Sequence, residues 1–352
     1  MAYPLENTVY TCLCIIFLLF WVLKNIKDVK IPGFTLWMVG AFVLLPYLLM
    51  LALPNPDLGL ERILQYAASG LIFICAGFLK DKQRQKLIYC VVFSGIIIAI
   101  LAIYQYFFGF SHTQEYMAGK NIINHFASDS LGTRRVFLPF VTANILGAYL
   151  AMVILIAAGL KKRAYLCLIL FFALLLTGSI SALVSICAGL ALFFVLTAKM
   201  NKKWLLYLGA IAISIAAVFL FRMLYLKQHF SPGFSAQMRL EYWEQTWQII
   251  QRSPAFGIGS GNFNLAHSRF AHQSYLQLWA ESGILSLTAF LCLVFSVFFY
   301  GAKRIKTHNP QASALMGAYL VFLIDNLFSF SFFLPEISWI WWAVGGAILS
   351  LS

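Results

Sequence analysis

The chain has 352 residues, of which 62% are hydrophobic and only 11% are charged. Soluble globular proteins carry about 25% charged residues, so this composition excludes a soluble globular domain. Apolar runs of roughly 17 to 25 residues recur along the whole length, and each is long enough to cross the hydrocarbon core of a bilayer. The sequence therefore predicts an all-α polytopic membrane protein that forms a single integral membrane domain over residues 1–352.

The net charge of +13 does not predict a surface for nucleic acid, because the basic residues are concentrated between the apolar runs. Most of the 25 lysines and arginines lie in five short clusters. These clusters are 24–30, 80–86, 161–163, 199–203 and 303–306. Short loops rich in Lys and Arg stay in the cytoplasm, so the clusters predict an outer N-terminus and a cytoplasmic C-terminus.

The apolar runs predict about eleven transmembrane helices. The predicted spans are 9–23, 35–53, 63–80, 87–109, 137–159, 164–177, 181–198, 204–222, 276–300, 312–332 and 336–351. Placing every basic cluster inside then assigns the loops 54–62, 110–136, 178–180, 223–275 and 333–335 to the outer face. The loop 223–275 is the longest of these outer loops.

The basic residues outside the five clusters fall on the predicted outer face, and most of them are arginine. They are Arg62, Lys120, Arg134, Arg135, Arg222, Lys227, Arg239, Arg252 and Arg269. Positive charge on this side opposes the insertion bias, and the planar guanidinium can hold a phosphate in a bidentate manner. The pattern predicts an anion-binding function; the alternative is that these side chains contact lipid headgroups or nearby carboxylates.

The loop 223–275 contains one predicted amphipathic helix. Leu240, Trp243, Trp247 and Ile250 recur at spacings of 3, 4 and 3, which places them on one apolar helical face. Two tryptophans on that face are typical of a helix lying at the membrane interface. Arg239 would then lie at headgroup height, near the start of this helix.

A glycine-rich turn and a polar run follow the helix. Pro254 ends the helix, and the glycines at 257, 259 and 261 allow the backbone to turn back toward the membrane. The polar run then contains His267, Arg269 and His272. A loop of this kind is often only a solvated connection between two spans, but its density of polar residues in so apolar a chain favours a chemical role.

His272 is the candidate catalytic residue. It lies at the outer boundary, where the loop becomes the ninth predicted span, and an imidazole can accept a proton from a hydroxyl in a transition state. Tyr275 and Trp279 follow on the same helical face and could form an aromatic wall for donor or acceptor. The alternative for His272 is a histidine that is simply hydrogen-bonded at the interface.

Glu281 is not predicted to orient His272. Nine residues of continuous helix place the carboxylate half a turn away and roughly 13 Å along the axis. We therefore expect Glu281 to face Gln277 and Ser274 and to be structural or to contact a neighbouring helix.

Asp325 is the one acidic residue well inside a predicted span. An intramembrane carboxylate is costly and has a functional or paired role by default. Arg222, at the outer end of the eighth span, is a possible partner, and a structural ion pair is the simpler interpretation.

The segment 252–287 resembles the O-antigen ligase and polymerase family of membrane glycosyltransferases. The resemblance is carried by two motifs, G-x-G-x-G-N-F at 257–263 and A-H-x-x-Y-L-Q-x-x-A-E-x-G-I-L at 271–285. It implies a membrane glycosyltransferase fold of the C type. It also implies transfer of glycan from undecaprenyl pyrophosphate on the periplasmic face of the bacterial inner membrane. The outer loop 223–275 would then be a periplasmic catalytic loop within the membrane domain.

The resemblance also implies roles for individual residues. His272 matches the motif histidine, and Arg239 matches the arginine that precedes the W-x-x-x-W-x-x-I helix. Members also commonly carry an arginine in a T-x-S-R-G-like turn between two spans. The corresponding turn here, 177–181, has none, so Arg134 or Arg135 is expected to supply the missing pyrophosphate contact.

The sequence thus predicts an O-antigen ligase that moves glycan from undecaprenyl pyrophosphate onto lipid A–core during lipopolysaccharide biosynthesis. An O-antigen polymerase, a protein O-oligosaccharyltransferase and a transporter or flippase of lipid-linked glycan remain alternatives. A transporter would favour charges deep in the spans and two similar halves. No cofactor or metal is expected, because the outer loops lack a paired-carboxylate D-x-D motif and the seven cysteines lie inside apolar runs.

Overall fold

The computed structural model describes most of the chain as helix. The described residues are 4–25, 31–51, 56–120, 131–160, 164–197, 232–266, 268–305 and 309–351, with a few isolated positions between 209 and 224. No strand occurs in these ranges. The prediction of an all-α protein is therefore confirmed for this part of the chain.

Twelve α-helices lie within the described ranges. The first six are α1 (Pro4–Asn25), α2 (Gly33–Leu51), α3 (Pro56–Gly77), α4 (Asp81–Tyr104), α5 (Phe110–Gly119) and α6 (Ala143–Ala158). The last six are α7 (Ala164–Thr177), α8 (Ile180–Thr197), α9 (Pro232–Arg252), α10 (Ser274–Arg304), α11 (Pro310–Asp325) and α12 (Pro335–Leu349). A π-helical segment, Gln105–Gly109, joins α4 to α5.

Four helical segments among the described residues are long and apolar enough to cross a bilayer. They are Thr8–Asn25, Asp81–Gly119, Ile180–Thr197 and Ser274–Arg304, and shorter apolar helices accompany them at Gly33–Leu49, Ala143–Ala158 and Tyr165–Thr177. These helices support a multi-pass membrane protein. The count of eleven spans stays a prediction, and the predicted span 204–222 lies largely outside the described residues.

Two of the predicted spans extend six or seven residues beyond the helix that the structure shows. The helix predicted at 137–159 begins at Ala143, because Thr142 is its N-cap and accepts a hydrogen bond from the backbone N–H of Ile145. The helix predicted at 312–332 ends at Asp325. Hydrophobicity alone extended both spans, because the residues beyond these helix ends are also apolar.

The chain divides into two compact units, and the first contains residues 1–85, 239–306 and 332–352. Within it, α3 packs against α1, α2 and α12, and α10 packs against α2 and α12. Phe42 of α2 is central to an aromatic cluster. Its ring lies 5.0 Å from that of Tyr66, 5.6 Å from that of Phe290 and 5.5 Å from that of Trp342.

The second unit contains residues 86–238 and 307–331. Helix α6 packs against α7, α8 and α11, and nearly all of its side chains are buried. Helices α8 and α11 approach closely where Gly189 faces Gly317. A Cβ added at Gly189 would collide with Cγ2 of Val321 and would lie 2.8 Å from the carbonyl oxygen of Gly317, so the two backbones approach closely at these glycines.

We expect Gly189→Ala to destabilise the second unit by about 1–3 kcal/mol, the usual cost of overpacking a close contact. The new methyl group would collide with backbone, which cannot move aside as a flexible side chain can. Thermal and denaturant unfolding of the purified protein in detergent would measure the change.

The matched control is Gly40→Ala in α2, where an added Cβ meets nothing within 4 Å. Alanine has the higher helix propensity, so this control should be neutral or slightly stabilising. Equal stability of the two variants would show that the α8–α11 contact tolerates separation.

Candidate functional site

The loop between α9 and α10 folds back onto a kink in α10. At the kink, Gly283 has φ of 73° and ψ of 173°, which is outside the helical region. Three backbone hydrogen bonds hold the loop there: Ile258 N–H to Ala280 O at 2.9 Å, Gly259 N–H to Glu281 O at 2.9 Å, and Ile284 N–H to Pro254 O at 3.1 Å. The glycine-rich turn is therefore part of a defined structure that shares hydrogen bonds with the helix.

Glycine is required at two positions of this contact. At Gly257, where φ is 72°, a Cβ would lie 2.6 Å from the carbonyl carbon and oxygen of Glu281. At Gly283, a Cβ would overlap the carbonyl of Ala255. The glycines of both sequence motifs thus let the loop backbone touch the helix backbone, and positive φ adds a second reason for glycine at each position.

Glu281 lies at the centre of a buried polar network. Glu281 is only 1% exposed. One carboxylate oxygen, Oε2, accepts the Gly261 N–H at 3.1 Å and lies 3.8 Å from Nε of Arg62 on α3. The other oxygen accepts Gln277 Nε2 at 2.8 Å. The expectation that Glu281 faces Gln277 and contacts a neighbouring helix agrees with this geometry.

The network continues to the residue before the candidate catalyst. Oε1 of Gln277, also 1% exposed, accepts the backbone N–H of Ala271 at 3.1 Å. Ala271 is fully buried in a small apolar cluster with Ile250 of α9 and Phe263 of the loop. Residue 271 is therefore held by both a hydrogen bond and packing.

His272 has an uncommon backbone conformation. Its φ is 52°, and among the described residues only Arg134, with φ of 51°, is another non-glycine with positive φ. Such conformations cost free energy and cluster at functional sites, where surrounding contacts maintain them. Both residues are candidate site residues by sequence pattern alone, so the backbone geometry is an independent observation at the same two positions.

The surroundings of His272 make its imidazole neutral at ordinary pH. Burial lowers the pKa of His272 to about 4, and the positive charge of Arg239 acts in the same direction. The imidazole also stacks on Tyr242, with ring centroids 5.6 Å apart and an interplanar angle of 20°. The structure thus brings together Arg239, Tyr242 and His272, of which the sequence analysis missed Tyr242. Its position one helical turn after Arg239 was the available signal.

The aromatic residues predicted as a wall are partly engaged within the protein. Trp279 donates its indole N–H to Pro254 O at 2.9 Å and contacts the ring of Trp247 edge-on at 5.6 Å. Tyr275 packs at 6.2 Å from Phe290 in the aromatic cluster of the first unit. Trp279 therefore fixes the end of α9 to α10, and a role of either residue in substrate binding stays a prediction.

The apolar face predicted for α9 is divided. Ile250 is buried against the loop, whereas Leu240 and Trp247 are exposed at 61% and 45%. One part of the helix therefore packs on the protein and another part exposes apolar residues, and the location of this helix at a membrane interface stays a prediction.

Arg135, in the second unit, lies on the turn between α7 and α8. Its Nε donates to the carbonyl oxygen of Thr177 at 2.7 Å, and its Nη2 donates to Asn144 Oδ1 at 2.5 Å. A Cβ added at Gly178 would lie 3.4 Å from Arg135 Nε. Arg134 is exposed and does not share these contacts. The guanidinium of Arg135 therefore occupies the turn in which the family pattern places an arginine.

The remaining polar residues named from the sequence pattern are His267, Arg269, Arg222 and Asp325. Arg269 is exposed on the loop, and His267 and Arg222 lie outside the described residues. Asp325 is fully buried and accepts a hydrogen bond from Ser331 Oγ at 3.5 Å. Its predicted pairing with Arg222 cannot be compared with the structure, and a group of three or more potential metal ligands does not occur among the described residues.

Comparison with known proteins shows that the loop and its flanking helices are similar to a known family. A family model described as O-antigen ligase matches residues 165–291, a segment that runs from α7 into α10 and includes Arg239 and His272. This match confirms the resemblance indicated by the sequence motifs, and it supports a glycosyltransferase of the O-antigen ligase and polymerase type.

An uncharacterized protein of Haemophilus influenzae is 22% identical to this chain over 108 residues. The alignment covers 26% of this chain and 27% of that protein, so it spans about a quarter of the relative's length.

We expect Arg239→Gln to raise the pKa of His272 above about 4. The substitution removes a positive charge that disfavours the imidazolium, while burial still holds the pKa below that of a free histidine. The pH dependence of diethyl pyrocarbonate modification at His272, followed by mass spectrometry, measures this pKa because only the neutral imidazole reacts.

Arg252→Gln is the matched control, since Arg252 is an exposed arginine in the last turn of the same helix. His112, which is exposed on α5, provides an internal reference in every sample. A midpoint that is the same in the wild type and in Arg239→Gln would contradict the coupling between the two residues.

Proposed function

We propose that this chain, whose residues 165–291 match the O-antigen ligase family, is an O-antigen ligase of the bacterial inner membrane. The donor in this proposal is glycan linked to undecaprenyl pyrophosphate, and the acceptor is a sugar hydroxyl of lipid A–core. The reaction takes place on the periplasmic face. The wider assignment, a membrane glycosyltransferase of the ligase and polymerase type, is supported directly by the family match.

The observation that carries the proposal is the local arrangement of Arg239, Tyr242 and His272. A neutral imidazole lies near enough to an arginine for the charge of that arginine to lower its pKa. A base and an anion-binding group are the two elements that glycosyl transfer from a pyrophosphate carrier requires. Both lie inside the matched segment, and both match motif positions of the family.

The proposed reaction is a displacement at the anomeric carbon of the donor sugar. The acceptor hydroxyl forms the new glycosidic bond, the bond to the carrier oxygen breaks, and the carrier pyrophosphate leaves with the electron pair. Arg239 stabilises the negative charge on the leaving group. His272 accepts the proton of the acceptor hydroxyl or orients the donor. The carrier supplies an already activated sugar, so no nucleotide or other cofactor is needed.

Donor binding would change the basicity of His272. In the free protein, burial and Arg239 hold its pKa at about 4, which makes the imidazole a weak base. A pyrophosphate bound at Arg239 would bring negative charge that offsets the arginine, and nearby negative charge raises the pKa of an imidazole. His272 would thereby become a stronger base when the donor is present.

Arg135 is the proposed replacement for the arginine that the family pattern places in the turn between two spans. The turn itself, 177–181, carries no arginine, but the guanidinium of Arg135 is held there by the Thr177 carbonyl and by Asn144. A guanidinium is a planar group of N–H donors whose geometry matches phosphate. Because Nε and Nη2 of Arg135 already donate within the protein, a phosphate would have to meet another edge of the group or displace these acceptors. Arg134 is the less favoured candidate, because its side chain is exposed.

The proposed function is tested by deleting the gene and examining the lipopolysaccharide. A ligase deletion removes all polymer attached to lipid A–core and causes carrier-linked chains to accumulate. A single attached repeat would instead identify a polymerase. Loss of attached polymer with carrier-linked glycan retained on the cytoplasmic side would indicate a flippase.

We expect His272→Ala to lower the rate of glycan transfer by about 10²–10⁴-fold, the usual effect of removing a positioned acid–base group. The measurement is transfer from carrier-linked glycan to purified lipid A–core in detergent, with a chelator present. His112→Ala is the control, because His112 is an exposed histidine on α5. Near-normal transfer by the His272 variant would exclude it as the catalyst, and inhibition by chelator alone would indicate a metal-dependent reaction.

We expect Arg135→Lys to raise the KM for the donor by about tenfold or more, because an ammonium cannot reproduce the planar fork that binds phosphate in a bidentate manner. Arg134→Lys should have the smaller effect, since its side chain does not lie on the turn. Arg252→Lys is the matched control at an exposed arginine. If neither Arg134→Lys nor Arg135→Lys changes the KM, this loop does not replace the missing turn arginine.

A further inference from the structure

A glutamine and a glutamate on one face of α10 form a buried hydrogen-bonded relay. Gln277 and Glu281 are one helical turn apart, and each is 1% exposed. The relay begins at Arg62 and the Gly261 N–H, which contact Oε2 of Glu281. It ends at the backbone N–H of Ala271, the residue that immediately precedes His272.

The carboxylate of Glu281 determines which way the amide of Gln277 points. A carboxylate only accepts hydrogen bonds, so the group of Gln277 that faces Glu281 must be the NH₂. The amide oxygen must then point in the other direction, where it meets the Ala271 N–H at 3.1 Å. Glu281 thus orients Gln277 so that its amide oxygen accepts the N–H of Ala271, the residue before His272.

The amide oxygen of Gln277 lies beside a stretch of backbone, residues 271–273, whose conformation must be stabilised by contacts. His272 has φ of 52°, a conformation that a histidine does not adopt without compensating contacts. On its N-terminal side, Ala271 is held by Gln277. On its C-terminal side, the side chain of Gln273 caps α10 by accepting the N–H of Leu276. Loss of the first contact would free the chain to relax and would move the imidazole.

Arg62 completes the relay from α3. Its guanidinium lies 3.8 Å from Glu281 Oε2, donates to Gln65 Oε1 and to Phe333 O, and stacks on the Phe333 ring at 4.5 Å. A buried carboxylate is stabilised by a nearby guanidinium and by hydrogen bonds from other donors. Arg62 therefore helps to hold Glu281 in place, together with the Gly261 N–H and the Gln277 amide.

We propose that Glu281 and Gln277 are positioning residues for His272, acting through the Ala271 N–H. The inference rests on the proposed function of His272 and extends it to residues that do not touch the substrate. The alternative is that Glu281 only forms a structural ion pair with Arg62 and that Gln277 only fills the space beside it.

A reciprocal exchange of the two residues separates these roles. Gln277→Glu alone places two carboxylates side by side, and Glu281→Gln alone leaves one amide facing two donors. The double variant, Gln277→Glu with Glu281→Gln, restores every hydrogen bond. The carboxylate introduced at position 277 accepts from Ala271 and from the amide introduced at position 281, whose oxygen accepts from Gly261. The exchange also moves the negative charge one turn away from Arg62.

Positioning predicts that each single variant lowers kcat by up to about 10²-fold, the cost of a small misplacement of a reacting group. It predicts little change in the KM for the donor, and recovery of kcat in the double variant. A structural ion pair predicts that the double variant is as impaired as Glu281→Gln, because Arg62 then faces an amide. That second result would overturn the proposal.

A second measurement does not depend on transfer activity. Gln277→Met keeps the length of the side chain and removes its polar atoms, and Gln248→Met is the matched control at an exposed glutamine of α9. We expect Gln277→Met to change the rate of diethyl pyrocarbonate modification at His272, with the rate at His112 unchanged in the same sample.

An unchanged modification rate and an unchanged kcat in folded Gln277→Met would overturn the proposal even if the double variant did not fold. If the wild type itself showed no transfer, the proposed function would fail, while the rate of modification at His272 would still decide whether the relay positions this residue.

Discussion

The hydrogen bonds of the buried Glu281 carboxylate are the interactions on which the loop between α9 and α10 depends. The carboxylate is an acceptor in an apolar surrounding, and it is satisfied by a backbone N–H of the glycine-rich turn, by an amide on its own helix and by an arginine on α3. Removing any one donor would leave a buried charge without full compensation, which is costly. The carboxylate thus joins three parts of the chain that are distant in sequence.

The kink in α10 and the glycine-rich turn make each other possible. Gly283 leaves helical geometry and lets the backbone of Ala255 approach, and Gly257 lets the loop lie directly on Glu281. Hydrogen bonds that the kinked helix no longer makes internally are replaced by hydrogen bonds to the loop. A loop held in this way can keep His272 in a defined relation to Arg239 on α9, which an unattached loop could not do.

The sequence by itself determined the class of the protein, most of the described helices and the segment that resembles the family. Apolar runs predict helices without reference to tertiary contacts, because hydrophobicity along the chain is a local property. The motif residues His272 and Arg239 could likewise be named directly. The limits of α6 and α11 were missed because capping by Thr142 and the end at Asp325 are invisible to hydrophobicity.

Only the tertiary structure decided the pairings. Three contacts result from packing between elements far apart in sequence. They are the contact of Glu281 with Arg62, the stacking of His272 on Tyr242 and the hydrogen bond from Arg135 to Thr177. The physical reason is that a hydrogen bond or an ion pair depends on distances of a few ångströms, whereas a sequence pattern specifies only which face of a helix a residue occupies.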